Sequence, residues 1–116
     1  MGSESLNALV ADTSLKRAIG LMHRKSLKSN ECMLFIFERS SRYGIWMLNM
    51  QFPIDIIWLD ERKRIVSFVK NAKPCKSIFN CKAYYPEKRS KYIIETNAGF
   101  MKAKSDASNK TVRFRA

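Results

Sequence analysis

Residues 46–60 (WMLNMQFPIDIIWLD) set polar chemistry inside an apolar run. Asn49 and Asp55 flank Pro53 there, with Trp46 and Trp58, the chain's two tryptophans, to either side. A polar group in such surroundings needs a hydrogen-bond partner, because a buried donor or acceptor left unpaired costs about 1–3 kcal/mol. Two readings follow. In the first, which we favour for Asn49 and Asp55, their side chains satisfy backbone amides around the proline turn and brace two strands, as Asx residues commonly do. In the second, Trp46, Asn49, Asp55, Trp58 and Tyr84 line a pocket for a small ligand, with Asp55 as its charged group. Asp55 and Glu95 would form a carboxylate pair for acid–base work only if the fold brought them together, and no spacing in the sequence does so. Arg24 is a candidate ion-pair partner for Asp55.

Cys75 and Cys81, six residues apart, are expected to close a small disulfide loop, whereas Cys32 sits in an apolar run and reads as an inert core thiol. No C-x-x-C motif or zinc quartet is present, and His23 is the only histidine. No catalytic residue, metal or cofactor is therefore assigned, and whether the chain is an enzyme stays open.

These side chains must be positioned by short strands. Residues 7–11 read as a first strand. Asp12, Thr13 and Ser14 are N-cap candidates ahead of LKRAIGLM, in which Leu15, Ala18, Ile19 and Met22 share one helical face. Residues 32–37 form an apolar run suited to a strand buried on both faces, and residues 38–44 read as a polar loop. Residues 45–49 and 54–59 read as two core strands joined by the Pro53 turn. Residues 65–69 return antiparallel to the second of these through a charged turn at 60–64. Residues 71–86 are long for a loop and call for a tether, which a Cys75–Cys81 bond would supply. A strand at 92–96, one or two helical turns within 100–107 and a last strand at 111–115 complete the chain. The expected fold is mainly β: a small antiparallel β-sandwich or distorted barrel with one short N-terminal helix, in a single domain spanning 1–116.

The formal net charge is +12, and the excess lies in the second half, where residues 61–116 carry fifteen Lys or Arg against four acids. Such a field attracts polyanions, although a lysine-rich surface that only keeps the chain soluble is the plainer reading. Phe79, Tyr84, Tyr85 and Tyr92, interleaved with lysines, would suit single-stranded nucleic acid by stacking and phosphate contacts. No apolar run approaches the roughly 18–20 residues that span a bilayer, and the opening MGSESLNALVADTSLKR lacks the pattern of a secretory signal. The expected compartment is the cytoplasm and the expected state a monomer.

Several segments, taken in order, carry a family resemblance. Ala18-Ile19-Gly20-Leu21-Met22-His23-Arg24 resembles a Gly-Leu-Met-x-Arg motif, and Met33-Leu34-Phe35-Ile36-Phe37 a Met-Leu-Phe-x-Phe strand. Trp46-Met47-Leu48-Asn49-Met50 with Pro53-Ile54-Asp55-Ile56 resembles Trp-Met-x-Asn-Thr…Pro-Leu-Asp-Ile. Pro74-Cys75, Cys81 with Tyr84, and Glu95 with Ala98-Gly99 continue the series. Over about residues 8–99 the chain resembles domain of unknown function family 192 (DUF192). It departs from that pattern with Cys32 in place of glycine, Leu48 in place of a polar residue, Met50 in place of threonine, and Ser108-Asn109-Lys110 where a Gly-Asp pair is common. The resemblance implies a compact β-rich domain without an established biochemical role. The chain is accordingly expected to be a non-catalytic binding or accessory module with a groove near 46–55. The alternative is a nucleic-acid-binding protein acting through the basic face of residues 62–115.

Overall fold

The computed structural model describes residues 5–103 and 113–115. Its strands are β1 (Ser5–Ala11), β2 (Glu31–Ser41), β3 (Ile45–Trp46), β4 (Ile54–Leu59), β5 (Ile65–Ala72), β6 (Ala83–Tyr84), β7 (Ser90–Asn97) and β8 (Arg113–Arg115), with one helix, α1 (Ser14–Ile19), after β1. The main sheet runs β5-β4-β7-β2-β1-β8, and β3 and β6 form a separate two-stranded ribbon. The ribbon packs on one face of the sheet through Ile45 and Tyr84. The fold is mainly β with one short helix, as expected. It does not close into a barrel, because the strand order begins at β5 and ends at β8.

β4 explains the apolar run that dominates the sequence. All six of its residues are buried, since it lies between β5 and β7 and both of its faces are covered. Ile54, Ile56 and Trp58 join a first-face core with Met33, Phe35 and Ile93. Ile57 and Leu59 join a second-face core with Leu6, Cys32, Leu34, Ile94 and Met101. Burying each such aliphatic side chain contributes roughly 1.5–3 kcal/mol. The β4–β5 hairpin forms as expected. In its turn the Asp60 Oδ1 accepts the N–H groups of Arg62 and Arg64, each at 2.9 Å. Burial alone would raise the Asp60 carboxyl, but those amides and the Arg64 guanidinium hold it below its ordinary value.

Three features depart from the sequence reading. First, β1 and β2 are parallel, because the connection between them crosses over through α1, whereas a hairpin would have made them antiparallel. Second, β2 runs on through the segment read as a polar loop, ending at Ser41 after a register shift beyond Ile36. Third, the segment before Pro53 is not the strand partner of β4. Only Ile45 and Trp46 are extended, and they pair with β6. The chain then turns at Met47–Met50, where the Met50 N–H donates to the Met47 carbonyl at 3.2 Å. The helical turns expected after residue 100 appear as a 3-10 turn at Phe100–Ala103. The remainder of that segment and residues 111–112 of the last strand lie outside the described residues.

Candidate functional site

β7 is the middle of the sheet, paired with β2 on one side and β4 on the other. Strand alternation sends Ile93 and Glu95 to the first face and Ile94 and Thr96 to the second. Glu95 thus stands opposite Met33 and Ile56 and is 4% exposed. Burial pushes its carboxyl up to about 8, so at neutral pH it is mostly a protonated acid. No hydrogen bond to its carboxyl comes from a described residue. It opens instead onto a groove of about 210 Å³ lined by Arg17, residues 18–22, Phe35, Gly44, Ile45, Trp46 and Met50.

The walls have clear local causes. Thr13 caps α1, its Oγ1 accepting the Lys16 N–H at 3.1 Å. Gly20 ends the helix in the left-handed region (φ +51), and a Cβ there would stand 3.1 Å from the Phe35 ring. Residues 20–22 can therefore press against β2 and form one wall. Arg17 is held beside it: its Nη1 donates to the Ile36 carbonyl at 2.9 Å. Its guanidinium lies 5.0 Å from the centre of the Phe37 ring, which stacks on Tyr43. The opposite wall is β3, with Trp46 43% exposed.

The five residues expected to line one pocket are distributed over several places. Trp46 is in the groove wall. Trp58 is wholly buried beneath it and donates its indole N–H to the Tyr43 carbonyl at 2.9 Å. Tyr84 lies in the ribbon opposite Ile45, with the Lys82 ammonium 5.1 Å from its ring centre. Asn49 adopts φ +62, a backbone that asparagine tolerates better than most residues. Its N–H donates to the Cys75 carbonyl at 3.1 Å, and its carbonyl accepts the His23 N–H at 3.0 Å. Asp55 faces the other side of the sheet from Glu95, so these two carboxyls make no catalytic pair. It is fully buried; its Oδ1 accepts the Asn71 N–H and its Oδ2 the Met101 N–H, both at 2.8 Å. Neither amide belongs to the Pro53 turn. Arg24 forms no ion pair with it; ion pairs form instead at Lys16–Asp12 and Arg64–Asp60.

Cys75 and Cys81 are joined in a disulfide, and Cys32 is free and buried. Its thiol is pushed up to about 12 by burial and by the neighbouring Glu31 charge, which makes it a poor nucleophile at neutral pH. The aromatic residues of the basic half do not assemble into one stacking strip. Tyr84 packs on the first-face core, Tyr92 on the second, and Phe79, 89% exposed, projects from the disulfide loop. The nucleic-acid reading is therefore not favoured. No helix of the described residues is long and apolar enough to cross a membrane.

Residues 1–114 match the family model DUF192, described as "Uncharacterized ACR". The chain belongs to the DUF192 family. A UPF0127 protein of Thermococcus kodakarensis is 38% identical over 95 residues, covering 80% of this chain and 55% of the relative. A UPF0127 protein of Pyrococcus horikoshii is 35% identical over 95 residues, covering 78% of this chain and 71% of the relative. The chain thus spans little more than half the length of the first of these relatives. A crystal structure from Sinorhizobium meliloti 1021, provisionally described as a transcription regulator, superposes with a TM-score of 0.82 at 25% identity, covering 91% of this chain and 79% of that one. A protein of unknown function from Novosphingobium aromaticivorans reaches the same TM-score at 24% identity, covering 91% and 73%, a likeness of fold. On this DUF192 chain residues from the segments that carry the family resemblance converge: Gly20-Leu21-Met22, Phe35, Trp46 and Glu95 all line the groove, beside Met50, where the family pattern has threonine. Sequence reasoning passed over Glu95 as a site in its own right. Its signal was a lone carboxyl in the apolar strand Tyr-Ile-Ile-Glu-Thr.

Proposed function

We propose that the chain is a non-catalytic binding or accessory module whose groove beside Glu95 takes a small organic ligand. One observation carries this reading: a carboxyl at the centre of the sheet, which takes no hydrogen bond from a described residue, opens onto a concave surface whose other described lining side chains, Arg17 apart, are apolar. A ligand group that hydrogen-bonds this carboxyl in so enclosed a place makes a stronger bond than it would in open water. Apolar walls with one or two convergent polar groups are the usual composition of a small-molecule site. The volume is below the roughly 300–1,000 Å³ of drug-sized sites, which points to a ligand of few atoms.

The test is a fragment screen by thermal shift and by backbone amide NMR. Fragments that bind should perturb the amides of residues 20–22, 45, 46 and 95, and should lose that effect in Trp46→Ala. Hits that stabilise wild type and Trp46→Ala equally, or that perturb only other surfaces, would remove the groove from consideration.

A further inference from the structure

The identity of the groove's polar groups narrows the ligand further, on the premise that the groove is a binding site. Among the described residues, Arg17 and Glu95 are the only ionisable side chains in its lining. We infer that the ligand is a small monocarboxylate with an apolar body, its carboxylate received by the Arg17 guanidinium and by the Glu95 carboxyl acting as an O–H donor.

The competing chemistry is an amine, which a buried glutamate would ordinarily suggest. The elements packed around Glu95 decide against it. β2 offers Met33 and Phe35, β4 offers Ile56, β3 offers Trp46, and the turn after it offers Met50; among the described residues the one charged group in the lining is Arg17, from α1. An ammonium group would have to approach that guanidinium and also take the proton from a buried acid. A carboxylate meets the opposite situation. Arg17 spends one N–H on the Ile36 carbonyl, and a guanidinium has five N–H donors in a planar fork suited to carboxylate. Glu95, held protonated by burial, offers a donor without a repelling charge. This is the arrangement in which a neutral carboxylic acid hydrogen-bonds an anion. Ile19, Ile45, Trp46 and Met50 supply apolar wall for the rest of the molecule.

The proton balance follows. Around neutral pH the ligand arrives ionised, Glu95 is already protonated, and binding takes up no net proton. Above the range where free Glu95 loses its proton, binding must take one up, so affinity falls toward tenfold per pH unit. An amine would show the reverse dependence, strengthening as pH rises.

The experiment titrates benzoate, phenylacetate and isovalerate, with benzylamine, isopentylamine and benzamide as matched controls, into wild type, Glu95→Gln and Arg17→Gln, followed by amide NMR between about pH 6.5 and pH 9. The carboxylates should bind wild type and weaken roughly tenfold toward the alkaline end. Glu95→Gln keeps a neutral donor, so it should retain the carboxylates and lose the pH dependence. Arg17→Gln changes a partly exposed side chain, which keeps the test usable if Glu95→Gln folds poorly, and it should weaken the carboxylates at least about tenfold. Binding of the amines in place of the acids, abolished by Glu95→Gln, overturns the carboxylate assignment and leaves the groove standing as a site. Preference for benzamide, or carboxylate affinity unchanged in Arg17→Gln, also overturns the assignment. If no probe of any class perturbs the groove amides, the assignment and the groove reading fall together.

Discussion

Asp55 and Glu95 lie on neighbouring strands, within one residue of direct register, and both are almost fully enclosed. They point to opposite faces of the sheet and meet opposite treatment. The Asp55 carboxylate is consumed by its own chain: one oxygen holds the Asn71 amide at the end of β5, the other the Met101 amide after β7. The Glu95 carboxyl receives nothing from the described residues and opens onto the groove. Depth of burial is therefore a poor guide to a functional carboxyl. What separates the two is whether the backbone has already used the oxygens.

The largest expected effect tests the occupied side of this contrast. Asp55→Ala removes two charge-assisted hydrogen bonds and strands two amides, which should lower unfolding free energy by about 3–5 kcal/mol in a urea titration. A loss under about 1 kcal/mol would mean that Asp55 is no brace and that the two carboxyls differ less than their geometry implies.

The next effect tests the open side, and its sign reverses. The folded state raises Glu95 from 4.5 to about 8. Its stabilising contribution is full below the unfolded value and is lost as pH rises through the folded one. Glutamine cannot ionise, so Glu95→Gln should match wild type near pH 5 and exceed it by roughly 2–4 kcal/mol near pH 9 in paired thermal melts. Equal stability at both pH values would show that Glu95 is already satisfied.

Smaller again is the disulfide loop, which lies apart from both carboxyls. Replacing Cys75 and Cys81 together by serine should cost roughly 2 kcal/mol through loop-closure entropy, measured against wild type under non-reducing conditions. The smallest effect belongs to Trp46→Ala. Nearly half of that side chain faces solvent, so stability should change by less than about 0.5–1 kcal/mol while binding in the groove is lost. A larger destabilisation would make Trp46 part of the core and not a wall of the site.

Much of the framework was legible because it depends on local pattern. The run Ile54–Leu59 reads as a core strand, the Asp60 turn as a hairpin, and Thr13 as one of three cap candidates. Pairing partners were not legible, since they depend on where distant chain returns. Nothing local to Trp46 indicates that it pairs with Ala83 across the ribbon, and nothing local to Ser5–Ala11 indicates a parallel crossover. The brace at Asp55 was anticipated, but its partners are sixteen and forty-six residues away and not in the adjacent turn. As a site residue Glu95 was weighed only as half of a pair with Asp55. The alternation of a single strand was enough to separate them, once β7 was known to be shared by β2 and β4.

The back of the groove wall is a relay of main-chain amides. Cys75 donates to Met47, Asn49 donates back to Cys75, and His23 donates to Asn49, at 3.0–3.1 Å. Three stretches distant in sequence are thereby laced into one piece, and none of them contributes a strand of the main sheet at that point. Such a piece can open only as a unit. Protection of the His23, Asn49 and Cys75 amides against exchange with solvent deuterium should therefore correspond to one common opening free energy, that of the wall coming away from the sheet.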